Sequence, residues 1–362
     1  MGGTQTYFLR LISGLLEAGA EHDFVVFLNR DGAAGFSRSA PNLTIEVCPV
    51  PGKNRLRRLI WENFALGPRA RALRLDIVHS LGYLSPFRLD VKSVVTILDL
   101  IHYVYPKDIP AFKRYLWRFL LPSTLRRVDR IITISESVKD DLARVFPQAE
   151  RKAVAIPLAA DRSLFQPAAS EVRERCSPDG TRTVLAVASM SAHKNLSVLI
   201  RAFSQLRREG AQIRLVLVGQ PSQETFELHR LADELDVLDV LEFTGHVSED
   251  TLVRLYQEAA VMVFPSLYEG FGLPPLEAMA CGCPVIASSS SSIPEVVANA
   301  ALLFDPRDTN DLATQLRTVL GSEEIRALLV TRGYENVARF SWANTAAMTL
   351  SVYADVLANG KQ

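Results

Sequence analysis

Four apolar residues, Val261 to Phe264, lead into Pro265-Ser266-Leu267-Tyr268-Glu269-Gly270-Phe271-Gly272-Leu273-Pro274-Pro275-Leu276-Glu277. A short apolar run bounded by turn residues reads as a buried strand. The paired prolines stand where a helix begins, residues 276–280 continue in a helical apolar pattern, and Gly282 stands where it stops. Strand, glycine loop and helix start, in that order, build an anion site. Glycines let the backbone approach closely, and the free amides of the first helical turn point at negative charge. Glu269 and Glu277 flank this loop. Carboxylates repel phosphate but accept hydrogen bonds from sugar hydroxyls. A loop that takes phosphate and sugar together points to a sugar nucleotide. The plain alternative is an ordinary turn with two surface glutamates, which the spaced acids and paired prolines disfavour.

The rest of the chain alternates short apolar runs with amphipathic stretches. In the first half, strands are expected at residues 24–28, 77–79, 93–97, 130–134 and 153–156, with helices at 7–17, 113–125 and 136–146. The last of these follows Ser135, a good N-cap. In the second half, strands are expected at 184–188, 214–218, 241–244, 261–264, 284–287 and 301–304. Such alternation indicates an α/β fold with parallel sheets covered on both faces. The polar segment 159–182, with Pro167, Pro178 and Gly180, reads as a linker. The chain then divides into residues 1–165, residues 166–340 and a closing helix, 341–362, that opens after Ser341 and is expected to cross back to the first domain. The serine run 288–292 reads as a flexible turn before a helix at 294–297. Two such domains facing each other hold ligands between the carboxyl ends of their strands.

A length of 362 residues suits two cores. No apolar run reaches membrane-spanning length, and the first residues lack the basic and apolar regions of a secretory leader. Four cysteines, Cys48, Cys176, Cys281 and Cys283, show no paired zinc spacing, so a reducing cytoplasm is the expected compartment. Net charge is zero, but residues 1–160 hold 23 Lys and Arg against 15 Asp and Glu, and the remainder reverses that excess. The basic residues cluster at Lys53, Arg55, Arg57 and Arg58, at Arg69, Arg71 and Arg74, at Lys113, Arg114 and Arg118, and at Arg126, Arg127 and Arg130. Trp61 and Phe64 lie among them at helical spacing. Two readings fit: amphipathic helices with solvated basic faces, or a surface that rests on anionic lipid at the inner face of a membrane. No motif for nucleic acid accompanies the charge.

Three further segments bear on chemistry. Val187-Ala188-Ser189-Met190-Ser191-Ala192-His193-Lys194-Asn195-Leu196 ends a strand and opens a helix. A lysine there sits at the positive end of the helix dipole, which favours a phosphate partner. Gly245-His246-Val247-Ser248 follows another strand, and Gly2-Gly3-Thr4-Gln5-Thr6-Tyr7 opens the chain. Taken with the Glu269 loop, these segments closely resemble the family-4 retaining glycosyltransferases, of GT-B fold, along nearly the whole chain. The resemblance implies two Rossmann-like domains across a cleft. It places Glu269 on the donor sugar, Glu277 on the ribose, and Lys194, Ser189 and Asn195 about the diphosphate. Gly270, Phe271, Gly272 and Leu273 would bind the donor, Val247 would lie beside the base, and Gly2 and Gly3 would close on the phosphate. The family usually has His-Asp where this chain has Leu98-Asp99; His102, four residues on, is the candidate to replace that histidine. Arg is also common in the family where His193 stands, and Arg or Thr where Ser189 stands.

The resemblance further implies front-face transfer, in which the leaving phosphate accepts the acceptor's proton and the protein positions and stabilises charge. The donor would carry a mannose-like or glucose-like sugar. The acceptor would be a glycan or polyprenyl-linked glycan of cell-surface polysaccharide synthesis. No cofactor is implied, and no Asp-x-Asp occurs in the chain, so no metal is expected. A phosphorylase or epimerase on the same scaffold, or a sugar-nucleotide binder without activity, are the alternatives. In a sheet of this type the glycine loop follows a central first strand, and Gly2 follows Met1 directly. The chain is therefore expected to lack that strand, leaving its neighbours with unpaired backbone.

Overall fold

The computed structural model describes residues 3–50, 55–106, 111–168 and 179–358. Gly2, Lys53, Cys176 and residues 169–178 of the expected linker lie outside them. The strands are β1 (Phe24–Asn29), β2 (Leu43–Cys48), β3 (Ile77–Ser80), β4 (Lys92–Ile97), β5 (Arg130–Thr133) and β6 (Ala153–Ala155) in the first half. In the second half they are β7 (Arg182–Val187), β8 (Ile213–Val218), β9 (Leu241–Gly245), β10 (Val261–Phe264), β11 (Val285–Ser288) and β12 (Ala301–Phe304). Among the described residues, every strand pairing is parallel. The second half forms a six-stranded sheet in the order β12-β11-β10-β7-β8-β9. The first half forms a four-stranded sheet, β3-β4-β5-β6, and a separate pair, β1-β2, with no backbone pairing between the two.

The strands follow from the apolar runs. Leu185, Val216, Met262 and Val285 pack on one face of the six-stranded sheet, while Val184, Leu215, Leu217, Val261, Val263 and Ile286 pack on the other. Alternate residues of one strand thus enter two different cores, as the two-residue period requires. The helix Leu196–Arg208 covers one face with Leu199, Ile200, Phe203 and Leu206. β2 is the strand that the sequence analysis does not identify. It alternates apolar with polar residues and leaves Ile45 and Val47 exposed, so it carries no continuous apolar run. Ser135, Ser248 and Ser341 each accept a hydrogen bond from an amide of the helix that follows, those of Val138, Thr251 and Asn344.

The closing helix, Trp342–Ala358, returns to the first half. Val352 and Val356 pack with Val94 on β4 and Ile132 on β5. Tyr353 Oη bonds His79 Nδ1 at 2.7 Å, and Thr345 Oγ1 donates to the Pro157 carbonyl at 2.7 Å. The helix also lies against the first helix, Gly3–Ala18, at Gly14. A Cβ at Gly14 would stand 2.9 Å from the Trp342 carbonyl oxygen and 3.0 Å from Ala346 Cβ. Gly14→Val should therefore lower the melting temperature by about 2–10 °C, from an overpacking cost of about 1–3 kcal/mol. Gly321→Ala, where nothing stands within 4 Å of the added Cβ, should leave it unchanged or slightly raised. Equal melting temperatures for the two variants would contradict this account of the helix contact.

Candidate active site

In the six-stranded sheet β7 and β10 are neighbours, yet the chain runs from β7 outward through β8 and β9, and from β10 outward through β11 and β12 on the other side. This reversal opens a crevice at the carboxyl ends of β7 and β10, where an open parallel sheet binds ligands. Two loops form its rim, residues 188–195 after β7 and residues 265–272 after β10. The Leu267 amide donates to the His193 carbonyl at 2.8 Å and ties them together.

Lys194 ends a 3-10 turn, Ala192–Lys194, just before the helix Leu196–Arg208. Its Nζ donates to Glu269 Oε1 at 2.6 Å, with side-chain exposures of 17% and 14%. The structure thus brings together the residues expected to meet diphosphate and sugar. Partial burial strengthens such a pair over one in open water. Asn195 adopts the left-handed conformation, and its amide donates to the Pro265 and Pro306 carbonyls at 3.2 and 2.8 Å. It fastens the loops to one another. Ser189 Oγ is exposed and 3.1 Å from Ser191 Oγ.

The loop after β10 is mostly bare backbone held by hydroxyls. Gly272 has φ 110° and precedes the helix Leu273–Ala280, whose first turn has no side-chain cap. Pro274 and Pro275 carry no N–H, so the donors this helix start can offer an anion are the Gly272 and Leu273 amides. The Phe271 ring is buried edge-on to Phe340, so it faces the core and leaves the loop's backbone to the crevice. Leu273 is half-buried against the same core. The serine run does more than turn the chain. Ser291 and Ser292 donate to the Glu269 carbonyl at 2.6 and 3.0 Å, Ser292 also to the Phe271 carbonyl at 2.9 Å, and Ser288 to the Ser266 carbonyl at 2.5 Å. Ser288 and Ser292 are fully buried. The expectation of a flexible turn is corrected: buried carbonyls need donors, and this run supplies them.

Glu277 lies on the helix after the loop, and its Oε2 accepts from Tyr256 Oη at 3.1 Å. Burial pushes its carboxyl up to about 7, with the charges of Glu249 and Asp161 adding and the Tyr256 bond opposing. The tyrosine is a partner that sequence spacing gave no sign of. Val247, after β9, packs against the core edge, and His246 is exposed.

The first half meets this crevice from above. Leu98 follows β4, is 7% exposed and packs in the same core as Phe271, so its side chain serves packing. Asp99 accepts from Tyr83 Oη at 2.6 Å and from the Ile101 amide at 3.0 Å. The His102 ring stacks on Trp117 at 4.8 Å between centroids, with Tyr83 at 6.1 Å. It sits in an aromatic group with these two rings. Gly3 begins the first helix instead of a loop. Among the described residues no group of three His, Cys, Asp or Glu is placed to hold a metal.

The family model for glycosyl transferases group 1 matches residues 170–336, and that for glycosyltransferase family 4 matches residues 1–164. An O-antigen chain mannosyltransferase B of Escherichia coli is 30% identical over 298 residues, which span 80% of this chain and 78% of the relative. Sucrose-phosphate synthase from Thermosynechococcus elongatus superposes with a TM-score of 0.80 at 23% identity, over 99% of this chain and 94% of that one. The Anabaena protein HepE, solved in complex with UDP and glucose, superposes with a TM-score of 0.71 at 18% identity, over 98% and 96%.

The state of Glu277 makes stability depend on pH. An unfolded glutamate loses its proton near 4.5, whereas folded Glu277 keeps its proton to about 7. Between those values the folded state binds more protons, so stability from this group is greatest at low pH and falls as pH rises through 7. Glu277→Gln keeps an acceptor for Tyr256 and removes the charge. It should exceed the wild type in urea unfolding by about 1–3 kcal/mol at pH 8 and match it at pH 4. A difference of equal size at both pH values would overturn the assignment.

Proposed function

The chain belongs to the group 1, family-4 glycosyl transferases of GT-B fold, and from that premise we propose how it works. It moves a mannose-like or glucose-like sugar from a nucleoside-diphosphate sugar to a glycan or lipid-linked acceptor, with retention and without a metal. The observation that carries this reading is the Lys194–Glu269 pair, 2.6 Å apart, beside the uncapped start of the helix Leu273–Ala280. An anionic diphosphate seated there meets the ammonium and the helix amides, while the sugar meets the glutamate. As the bond from the anomeric carbon to the phosphate oxygen breaks, Lys194 and the amides stabilise the charge that develops on the leaving group. The acceptor oxygen bonds to the anomeric carbon on the same face, and its proton passes to that departing phosphate oxygen. Mannose as the sugar, and a surface polysaccharide as the product, are supported by the E. coli relative's name. A nucleotide-sugar donor is supported by the HepE complex.

A second reading is a sugar-nucleotide binder that does not transfer. The buried position of Leu98, where the family usually has histidine, favours it. One assay separates the two. The purified protein is incubated with a panel of nucleoside-diphosphate sugars and isolated glycan acceptors, with and without EDTA. We expect transfer that EDTA leaves intact and that falls about 100-fold or more in Lys194→Ala, which removes charge stabilisation worth about 3 kcal/mol, and about as much in Glu269→Ala, which removes the positioning of the sugar. Binding without transfer in any combination would favour the second reading. EDTA inhibition reversed by a divalent ion would refute metal independence.

The lipid-linked acceptor is supported by the surface of the first half. The helix Arg55–Phe64 exposes Ile60 and Phe64 beside Arg57 and Arg58, and the helix Ala111–Arg127 exposes Tyr115 and Phe119 beside Arg114 and Arg118. The loop between them joins the two, since the Phe87 amide donates to Asn63 Oδ1 and Arg127 lies over the Phe87 ring. Apolar side chains amid arginines suit an anionic lipid surface. No helix among the described residues is long and apolar enough to cross a membrane. In vesicle flotation the protein should bind phosphatidylglycerol vesicles, release with salt, and lose most of that binding in a Phe64→Ser/Phe119→Ser variant. Equal flotation on neutral vesicles would sink the idea.

A further inference from the structure

Tyr268 precedes the donor-loop glutamate and is buried, yet its hydroxyl finds no partner in its own half of the molecule. It donates to Asp141 Oδ2 at 3.0 Å and accepts from the Leu100 amide at 3.0 Å. Both groups belong to the first half. Asp141 is itself buried, on the helix Glu136–Val145, and is also paired with Arg144. The same helix is gripped again at its start. The Glu295 carboxylate, from the second half, accepts from the amides of Glu136 and Ser137 at 3.0 and 3.1 Å. Ser135, the N-cap of that helix, donates to the Gly270 carbonyl at 2.7 Å. Between these bonds the two backbones touch: a Cβ at Gly270 would lie 1.9 Å from the Leu98 carbonyl oxygen.

Bonds from the first half therefore hold both neighbours of Glu269, the Tyr268 side chain and the Gly270 carbonyl. Separating the halves would release both neighbours and leave Glu269 to Ser291, Ser292 and Lys194 of its own half. Burial pushes the Tyr268 phenol up, so it stays a donor at every physiological pH.

We propose that Tyr268, through Asp141 and the Leu100 amide, is a cross-domain positioning residue that sets Glu269 for transfer only when the two halves are closed. Tyr268 does not touch the donor; it makes closure and the alignment of the donor loop one event. This rests on the reading of the crevice as a glycosyl-transfer site.

The test is a set of variants of the full chain: Tyr268→Phe, Asp141→Ala, Asp141→Asn and the double variant Tyr268→Phe/Asp141→Ala. Tyr268→Phe and Asp141→Ala should each lower kcat about tenfold, the scale of one lost hydrogen bond, with the donor KM changed by less than about threefold. The double variant should be no worse than the poorer single, because both remove the same bond. Asp141→Asn keeps an acceptor oxygen and should restore most of the rate. Solution X-ray scattering should show a larger radius of gyration for Tyr268→Phe than for the wild type. Unchanged kcat, a loss confined to KM, additive losses, or no rescue by asparagine would each overturn the proposal. If Asp141→Ala fails to fold, Tyr268→Phe and Asp141→Asn decide it. If the wild type transfers nothing, the transfer reading fails by itself, and the scattering comparison still decides whether the bond holds the halves together.

Discussion

The donor loop turns its large side chains, Tyr268 and Phe271, inward and presents backbone where the two halves meet. From Ser266 to Gly272 it must stay thin enough for another backbone to approach, and that thinness costs it the usual means of satisfying its carbonyls. Hydroxyls reach the loop carbonyls: Ser266 by Ser288, Leu267 by Tyr105, Glu269 by Ser291 and Ser292, Phe271 by Ser292, and Gly270 by Ser135. Those of Tyr105 and Ser135 come from the other half of the molecule. A loop supported from both halves ties the geometry of the crevice to the relation between the two sheets. Glycine at 270 follows from this, because the Leu98 carbonyl occupies the space of any side chain. Leucine at 98 follows as well: its carbonyl supports the loop while its side chain joins the core beneath.

The two glutamates, which look equivalent in sequence, are handled by opposite physics. Glu269 is partly exposed and neutralised by Lys194 at 2.6 Å. Any anion that takes the lysine must share it or displace the carboxylate, which frees that carboxylate for hydroxyls. Among the described residues no Lys or Arg pairs with Glu277. Burial raises its carboxyl to about 7 and Tyr256 supplies a neutral hydrogen bond. At neutral pH it can both donate and accept, which suits a ribose diol better than a fixed charge would. On the proposed reading, the ammonium and the two carboxyls would take the three kinds of group in a nucleotide sugar: phosphate, hexose hydroxyl and ribose hydroxyl.

Asp99 and His102 illustrate how a loop can be read correctly as a loop and still be misjudged in detail. His102 stands four residues after Leu98, but inside a short helix, Ile101–Val104. That helix turns the imidazole onto Trp117, whose position depends on the packing of a helix more than ten residues away. Tyr268 illustrates the converse. Beside Glu269 it reads as one more loop aromatic, and its meaning comes from Leu100 and Asp141, which lie 168 and 127 residues away.

The sequence by itself determined the strands whose residues are all apolar, because a strand buried on both faces must be apolar throughout. β10 and β12 are found where the apolar runs place them, and the others are found within two residues. It also determined the glycine–proline punctuation of the donor loop and the chemical types of Lys194, Glu269 and Glu277, since local backbone geometry and charge are properties of the residues themselves. β2 escaped because half of its residues face solvent and its alternation is short. Only the tertiary structure decided which acid pairs with the lysine and which is raised by burial beside Tyr256. It alone decided that Ser288, Ser291 and Ser292 form a support and not a flexible turn, and that the first half holds the loop of the second. Each of these depends on contacts between residues distant in the chain. Periodicity and composition report what a residue prefers, and only packing fixes which partner it meets.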